Sequence, residues 1–204
     1  MKFLITAGGT REYIDPVRYI TNASSGRMGY ALARAAINAG HSVILITAPT
    51  SLKTPKNAEV INIQTSKEMF KAVKDNFPKC HCLIMAAAVS DYTPANPSKI
   101  KLKKQNQNLT LELKPTTDIL KWAGRNKKDK IVVGFALEDK NILENAEKKL
   151  TSKKIDMIIA NSIDAVGAKK SVLFAKIKGR DWLKIDADKS KSAKFIISMI
   201  KTIK

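Results

Sequence analysis

The chain reads as an α/β protein built on a mostly parallel, doubly wound sheet. Three observations predict this. Apolar runs of strand length alternate with helix-length amphipathic segments along most of the 204 residues. Several of those runs lack the polar alternation of a half-exposed strand, as strands covered on both faces do. A long polar interruption also follows the first strand, where sheets of this class place their ligand loops.

Taken in order, Lys2–Thr6 is the first strand, and Ser42–Thr47, Glu59–Gln64, Cys82–Val89, Lys130–Leu137 and Asp156–Ala160 are the next five. Helices fall between them: Arg27–Ala39 ending at Gly40, Lys67–Asn76 capped by Ser66, Asp118–Arg125 capped by Thr117, and Asn141–Lys153. Strand–helix alternation at this spacing implies right-handed crossovers and a Rossmann-like arrangement. Val172–Lys178 and Trp182–Ile185 flank Gly-Arg-Asp as a hairpin, and a final helix covers about Lys189–Ile203. One stretch breaks the pattern. Tyr92–Asn108, YTPANPSKIKLKKQNQN, is proline- and lysine-rich and poor in apolar residues, and reads as a mobile loop at a strand's carboxyl end, either a flap over a phosphate site or a disordered solvent loop. The alternating LTLELKP that follows (Leu109–Pro115) reads as a strand pairing with the flap or as an extra hairpin. The whole is read as one domain over residues 1–204.

The segment Thr6–Gly29, TAGGTREYIDPVRYITNASSGRMG, carries the most chemistry. It holds four glycines and three arginines, with Thr10, Thr21, Asn22, Ser24 and Ser25 between them. A strand, a polar loop and a helix opening with Ser-Ser-Gly form a site for anions, because free backbone N–H groups and the positive helix end favour phosphate.

Composition removes several classes. No run of about 18 apolar residues exists, so no membrane span is expected. MKFLITAGG turns to glycine before a signal-peptide core can form. Cys80 and Cys82 lead an apolar run and lack a second Cys/His cluster, so two buried thiols in a reducing, cytoplasmic setting are expected rather than a metal site. The net charge of +19 invites a basic nucleic-acid-binding protein, but 31 of the 37 basic residues are scattered lysines. Four of the six arginines (Arg11, Arg18, Arg27, Arg34) instead fall in or just beyond the opening segment. An NADP-linked oxidoreductase is the other alternative. Against it, the first loop reads AGGTRE rather than G-x-G-x-x-G, and the second strand runs into HSVILITAPTSLK with no acidic residue for a ribose.

ITAGGTREYIDPVRYITNASSGRMG closely resembles the signature of bacterial phosphopantothenoylcysteine synthetases (phosphopantothenate–cysteine ligases). AAAVSDY (Ala86–Tyr92), KLKK (Lys101–Lys104) and VVGFALE (Val132–Glu138) agree with that family in order and spacing, as does the following NAEKKLTSKKIDMIIAN. The resemblance covers roughly Lys2 to Asn161. It implies a ligase that condenses 4′-phosphopantothenate with cysteine through an acyl-nucleotidylate, using CTP or, as the alternative, ATP, with Mg2+. It further implies a homodimer; that neither nucleic acid nor membrane is a partner is the expectation from composition.

On this resemblance Asn22 and Lys101 are the catalytic residues: Asn22 acts on the acyl-nucleotide and Lys101 is the flap lysine, with Lys99 offering a competing register. Gly8, Gly9 and Thr10 form the first-strand turn, and Ser24, Ser25 and Gly26 face phosphate. Met85, Ala86 and Ala87 lie along the base, and Asp91 suits the ribose hydroxyls. Thr117, Asp118, Ile119 and Leu120 match a P-D-I-L-like segment, with Thr117 in place of proline. Phe135 packs on the base, while Lys149 and Lys153, spaced i,i+4, contact the nucleotide. No residue is assigned to a metal. Three departures from the family stand out. Arg27 replaces a lysine, SIDAVGAKKSVLF after Asn161 lacks a D-N-N-like loop, and no flavin-dependent decarboxylase sequence precedes the segment, so that activity is expected on a separate protein.

Overall fold

Successive residues of a strand point to opposite faces, and the first strand here buries both. Phe3, Ile5 and Ala7 side with one hydrophobic core and Leu4 with the other, all at 0% exposure. The structure, a computed structural model, describes residues 1–104, 106, 108–162 and 170–203. Strand β1 (Lys2–Ala7) lies at the middle of an eight-stranded sheet. On one side it pairs in parallel with β4 (Ser42–Thr47), which pairs with β5 (Ala58–Asn62). On the other it pairs with β6 (Cys82–Met85), followed outward by β9 (Ile131–Glu138) and β10 (Met157–Ser162), all parallel. The antiparallel pair β11 (Lys170–Ile177) and β12 (Leu183–Asp188) completes that edge. The chain winds outward from β1 in one direction and then returns to β6 to wind in the other. The switch point of the doubly wound sheet therefore lies between β1 and β6.

Helices α1 (Arg27–Asn38) and α5 (Lys189–Ile200) cover one face, contributing Leu32, Ala33, Ala36, Ile196 and Ile200 to its core. Helices α2 (Ser66–Asn76), α3 (Ile119–Asn126) and α4 (Ile142–Ser152) cover the other with Met69, Val73, Ala123, Ala146 and Leu150. Cys80 joins this second core and Cys82 the first, so the two free thiols face opposite sides of the sheet. Burial pushes the Cys80 thiol up to about 11 and raises that of Cys82 as well.

The fold class is the expected one, with local corrections. The strand expected over Cys82–Val89 ends at Met85, and the one expected over Glu59–Gln64 runs instead from Ala58 to Asn62. The opening polar loop contains a hairpin, β2 (Arg11–Tyr13) against β3 (Tyr19–Thr21). The base of the flap is a second small ladder, β7 (Tyr92–Pro94) against β8 (Leu113–Pro115). Two caps shift. Thr65, not Ser66, caps α2: its hydroxyl accepts from the Glu68 amide at 3.2 Å, while the Glu68 carboxylate reaches back to the Gln64 amide. Asp118, not Thr117, caps α3, accepting from the Lys121 amide at 2.8 Å, since a carboxylate suits the positive helix end better than a hydroxyl.

Gly124 sets how closely α3 approaches the end of α4. A β-carbon there would stand 1.9 Å from the Lys153 carbonyl oxygen, which is backbone and cannot swing away. Gly124→Ala should therefore destabilise the protein by about 1–3 kcal/mol despite the better helix propensity of alanine. Urea unfolding monitored by circular dichroism would show this as a lowered midpoint.

Candidate functional site

At the switch point the loops after β1 and β6 are joined to each other. The Thr6 hydroxyl accepts from the Ala87 amide at 3.1 Å, and the Gly8 carbonyl accepts from the Ala88 amide at 2.8 Å. The Thr10 amide donates to the Ala88 carbonyl at 3.2 Å, and the Thr10 hydroxyl accepts from the Ser90 amide at 3.0 Å. Thr10 is fully buried, so this side chain is structural glue as much as a ligand group. Asn22 reaches the same place: its Nδ2 donates to the Ala88 carbonyl at 3.3 Å, while the Thr21 hydroxyl donates to the Thr10 carbonyl at 2.7 Å. The predicted turn Gly8–Thr10 and the predicted catalytic Asn22 thus meet the Ala87–Ser90 loop, which connects the predicted Met85–Ala87 to the predicted Asp91.

The glycines permit this closeness. A β-carbon on Gly9 would lie 2.7 Å from the Asn22 carbonyl oxygen. Gly26 holds a left-handed backbone (φ 73°), and its missing β-carbon is 3.2 Å from the Gly8 nitrogen, which brings the N-terminus of α1 against the β1 turn. No side chain caps that helix and no acidic residue sits in its first turn. The Ser24 hydroxyl accepts from the Gly26 amide at 3.4 Å, and Ser25 is exposed. An anion would find backbone donors and hydroxyls here together.

A second group gathers where β9 and α3 meet the end of α4. The Lys149 ammonium donates to the Phe135 carbonyl at 2.8 Å. Burial lowers its pKa, opposed by the nearby carboxylates of Glu138, Asp91 and Asp118 and reinforced by Lys153. Lys153 forms an ion pair with Asp118. Desolvation raises the Asp118 pKa, but its bonds to Lys153 and the Lys121 amide outweigh this and leave the carboxyl below its ordinary range. Asp91, Asp118, Lys149 and Lys153 are therefore electrostatic neighbours.

Other assigned residues are placed differently. Met85, Ile119 and Leu120 are buried, and the Met85 sulfur accepts a hydrogen bond from the Thr6 hydroxyl, so any ligand contact there would be through backbone. The Phe135 ring packs on the α1/α5 face, whereas α4, which carries Lys149, covers the opposite face, and Lys149 bonds the Phe135 carbonyl. Thr117 is exposed, while the neighbouring Thr116 hydroxyl donates to the Ser90 carbonyl at 2.6 Å. Lys99 and Lys101 are exposed on the flap. Most of the segment noted after Asn161 lies outside the described residues.

Asp15 and Arg18 gained no role from the sequence. Asp15 is buried at the hairpin tip, pairs with Arg18 (2.6 Å) and accepts from the Leu102 amide of the flap. The signal was legible in part: Asp-Pro is a turn opener whose carboxylate caps its own turn.

Fold and site together define a doubly wound α/β domain whose switch point gathers loop amides, hydroxyls and an uncapped helix N-terminus. Residues 1–203 match the family model described as the DNA/pantothenate metabolism flavoprotein C-terminal domain, and the chain belongs to that family. It is 51% identical over 166 residues to the coenzyme A biosynthesis bifunctional protein CoaBC of Bacillus subtilis, covering 81% of this chain and 41% of that one. It is 38% identical over 202 residues to the protein of the same name from Borreliella burgdorferi, covering 98% and 52%. A crystal structure of the C-terminal domain of CoaBC superposes with a TM-score of 0.85 at 35% identity, covering 98% of this chain and 93% of that one. The chain thus spans about half or less of the bifunctional relatives it matches. Because those relatives carry two activities on one chain, the expectation of a separate decarboxylase finds no support in them. No helix among the described residues is long and apolar enough to cross a membrane.

The lowered pKa of Lys149 has a stability signature. Near neutrality both folded and unfolded chains hold this proton, and burial of the charge costs stability. As pH rises through the depressed folded value toward the ordinary 10.5, only the unfolded chain keeps it, so stability rises with pH in that window. Unfolding free energies of wild type and Lys149→Met measured from neutrality to about pH 10.5 should shift in favour of the wild type as pH climbs. Parallel curves would contradict the burial argument.

Proposed function

We propose that this domain joins 4′-phosphopantothenate to cysteine in coenzyme A biosynthesis through an acyl-nucleotidylate, with CTP as nucleotide and ATP as the alternative. The observation that carries the reading is the meeting of Asn22 with the Ala86–Asp91 loop at the switch point, next to an uncapped helix N-terminus. The likeness to the CoaBC chains supports it.

In the first step a carboxylate oxygen of phosphopantothenate attacks the α-phosphorus. The bond to the bridging oxygen breaks, and pyrophosphate leaves with the electron pair. In the second, the cysteine amine attacks the acyl carbon, the carbon–oxygen bond to the nucleotide breaks, and the nucleoside monophosphate departs as the amine loses a proton. Charge builds on phosphate oxygens in the first step and on the acyl oxygen in the second. Ser24, Ser25, Gly26 and the first amides of α1 suit the phosphate charge. Asn22 spends one N–H on the Ala88 carbonyl and keeps its other N–H for an oxyanion. Being uncharged, it does not trap the attacking amine as a carboxylate would. Asp91 suits the ribose, and Lys101, Lys149 and Lys153 suit the phosphates.

Mg2+ in this reading accompanies the nucleotide. Among the described residues no group of three or more acidic, histidine or cysteine side chains is gathered to hold a metal. Magnesium ordinarily takes one or two carboxylates and otherwise substrate phosphates and water.

The chain is further read as a homodimer through its flap. Ile100 is 75% exposed and Leu109 63%, on a segment that also leaves Tyr92 and Leu113 uncovered. Sedimentation at micromolar concentration should give a dimer; a monomer would count against it. For the reaction, protein mixed with phosphopantothenate, cysteine, Mg2+ and CTP or ATP should release pyrophosphate and a nucleoside monophosphate. Asn22→Asp should still form the acyl-nucleotide but stall before cysteine. Absence of pyrophosphate with both nucleotides would sink the ligase reading, and a normal overall rate in Asn22→Asp would remove that residue from it.

A further inference from the structure

The flap is laid on the tip of the β2–β3 hairpin at two points, and one carboxylate organises the second. The Ser98 amide donates to the Ile14 carbonyl at 2.8 Å. Asp15, 1% exposed, divides its two oxygens between different tasks. Oδ1 accepts from the Val17 and Arg18 amides at 2.9 and 2.8 Å, closing the local turn. Oδ2 accepts from Arg18 Nε at 2.9 Å and from the Leu102 amide at 3.1 Å, a contact spanning 87 residues of sequence. The Arg18 guanidinium in turn donates to the Leu102 carbonyl, so both backbone polar groups of that flap residue are held. Leu102 sits between Lys101 and Lys103.

We infer that Asp15 is a positioning residue: its Oδ2 fixes the flap backbone at Leu102 and so sets where the neighbouring lysines present their charge to a nucleoside triphosphate. The kinetic meaning of this rests on the ligase reading; the anchoring does not. Burial alone would raise the Asp15 pKa, but the Val17, Arg18 and Leu102 amides and the Arg18 guanidinium hold it far below the usual carboxylate range. The anchor therefore stays ionised throughout the working range of pH. An asparagine can keep an oxygen toward Val17 and Arg18. Its NH2 would then face two donors, Arg18 Nε and the Leu102 N–H, and the flap bond would be lost while the turn survives.

Asp15→Asn separates these roles. Hydrogen exchange followed by NMR should show the Leu102 amide exchanging at least about tenfold faster, the loss of one charge-assisted bond, with Val17 and Arg18 amides still protected. Calorimetric titration should show CTP binding weakened about tenfold while CMP binding stays within about twofold, since in this proposal the flap lysines serve the outer phosphates, which CMP lacks. In a Lys101→Gln background the same change should add little, as expected of groups acting through one contact. Unaltered Leu102 exchange would overturn the anchor. Equal weakening of CTP and CMP, or of neither, would overturn the positioning role. A wild type that binds CTP yet makes no pyrophosphate from CTP or ATP would defeat the ligase reading alone and leave both of these measurements decisive.

Discussion

The seam between the loops after β1 and β6 is the constraint on which the rest of the site depends. Irregular backbone near the centre of a sheet must find hydrogen-bond partners, because a buried N–H or C=O left unpaired costs about as much as a lost bond. Here the two loops satisfy each other: Thr6 with Ala87, Gly8 and Thr10 with Ala88, and Thr10 again with Ser90. The parallel pairing thus continues past the formal strand ends, with Gly9 opposite Ala88. The surface at the switch point is as well defined as a strand, although it carries the amides and carbonyls of loops.

The hairpin hangs from that seam and is braced at its far side. The Arg11 amide donates to the Gln64 carbonyl, and the Ser66 amide at the start of α2 donates to the buried Glu12 carboxylate at 2.8 Å. A carboxylate in that place is favoured by the helix end as well as by the bond. Arg11 also lies over the Tyr19 ring at 4.5 Å, tying the two hairpin strands together. Held at both ends, the hairpin can carry the flap at its tip. This is a chain of support running from sheet to seam, seam to hairpin and hairpin to lysines.

The strands and helices were legible because burial on two faces leaves continuous apolar runs and burial on one leaves a 3.6-residue period. What misled was chemistry that mimics a strand: Ala86–Val89 is apolar, yet it is seam rather than ladder, and no local pattern distinguishes the two. The hairpin was missed because three-residue strands show too little alternation to register. Lys149 and Lys153 were readable as one helical face, but their partners were not, since Asp118 and Phe135 lie far off in sequence. Asp15 was hidden in the same way. Its turn is written locally in Asp-Pro, whereas its second oxygen serves Leu102, which only the fold brings near.

The charges of the chain divide along the same line between surface and site. Most of the excess of lysine is spread over solvent, where it can raise the local concentration of anions without specific contact. At the carboxyl edge the opposite holds. Lys149 is half-buried on a carbonyl, surrounded by three carboxylates that only partly offset its desolvation, and its ammonium remains harder to keep charged than an exposed one. Such a group gains from any ligand that brings negative charge into the same space. In the proposed reaction the nucleotide phosphates supply that charge, so binding would offset part of the cost of burying Lys149, an interaction weaker for a product carrying fewer phosphates.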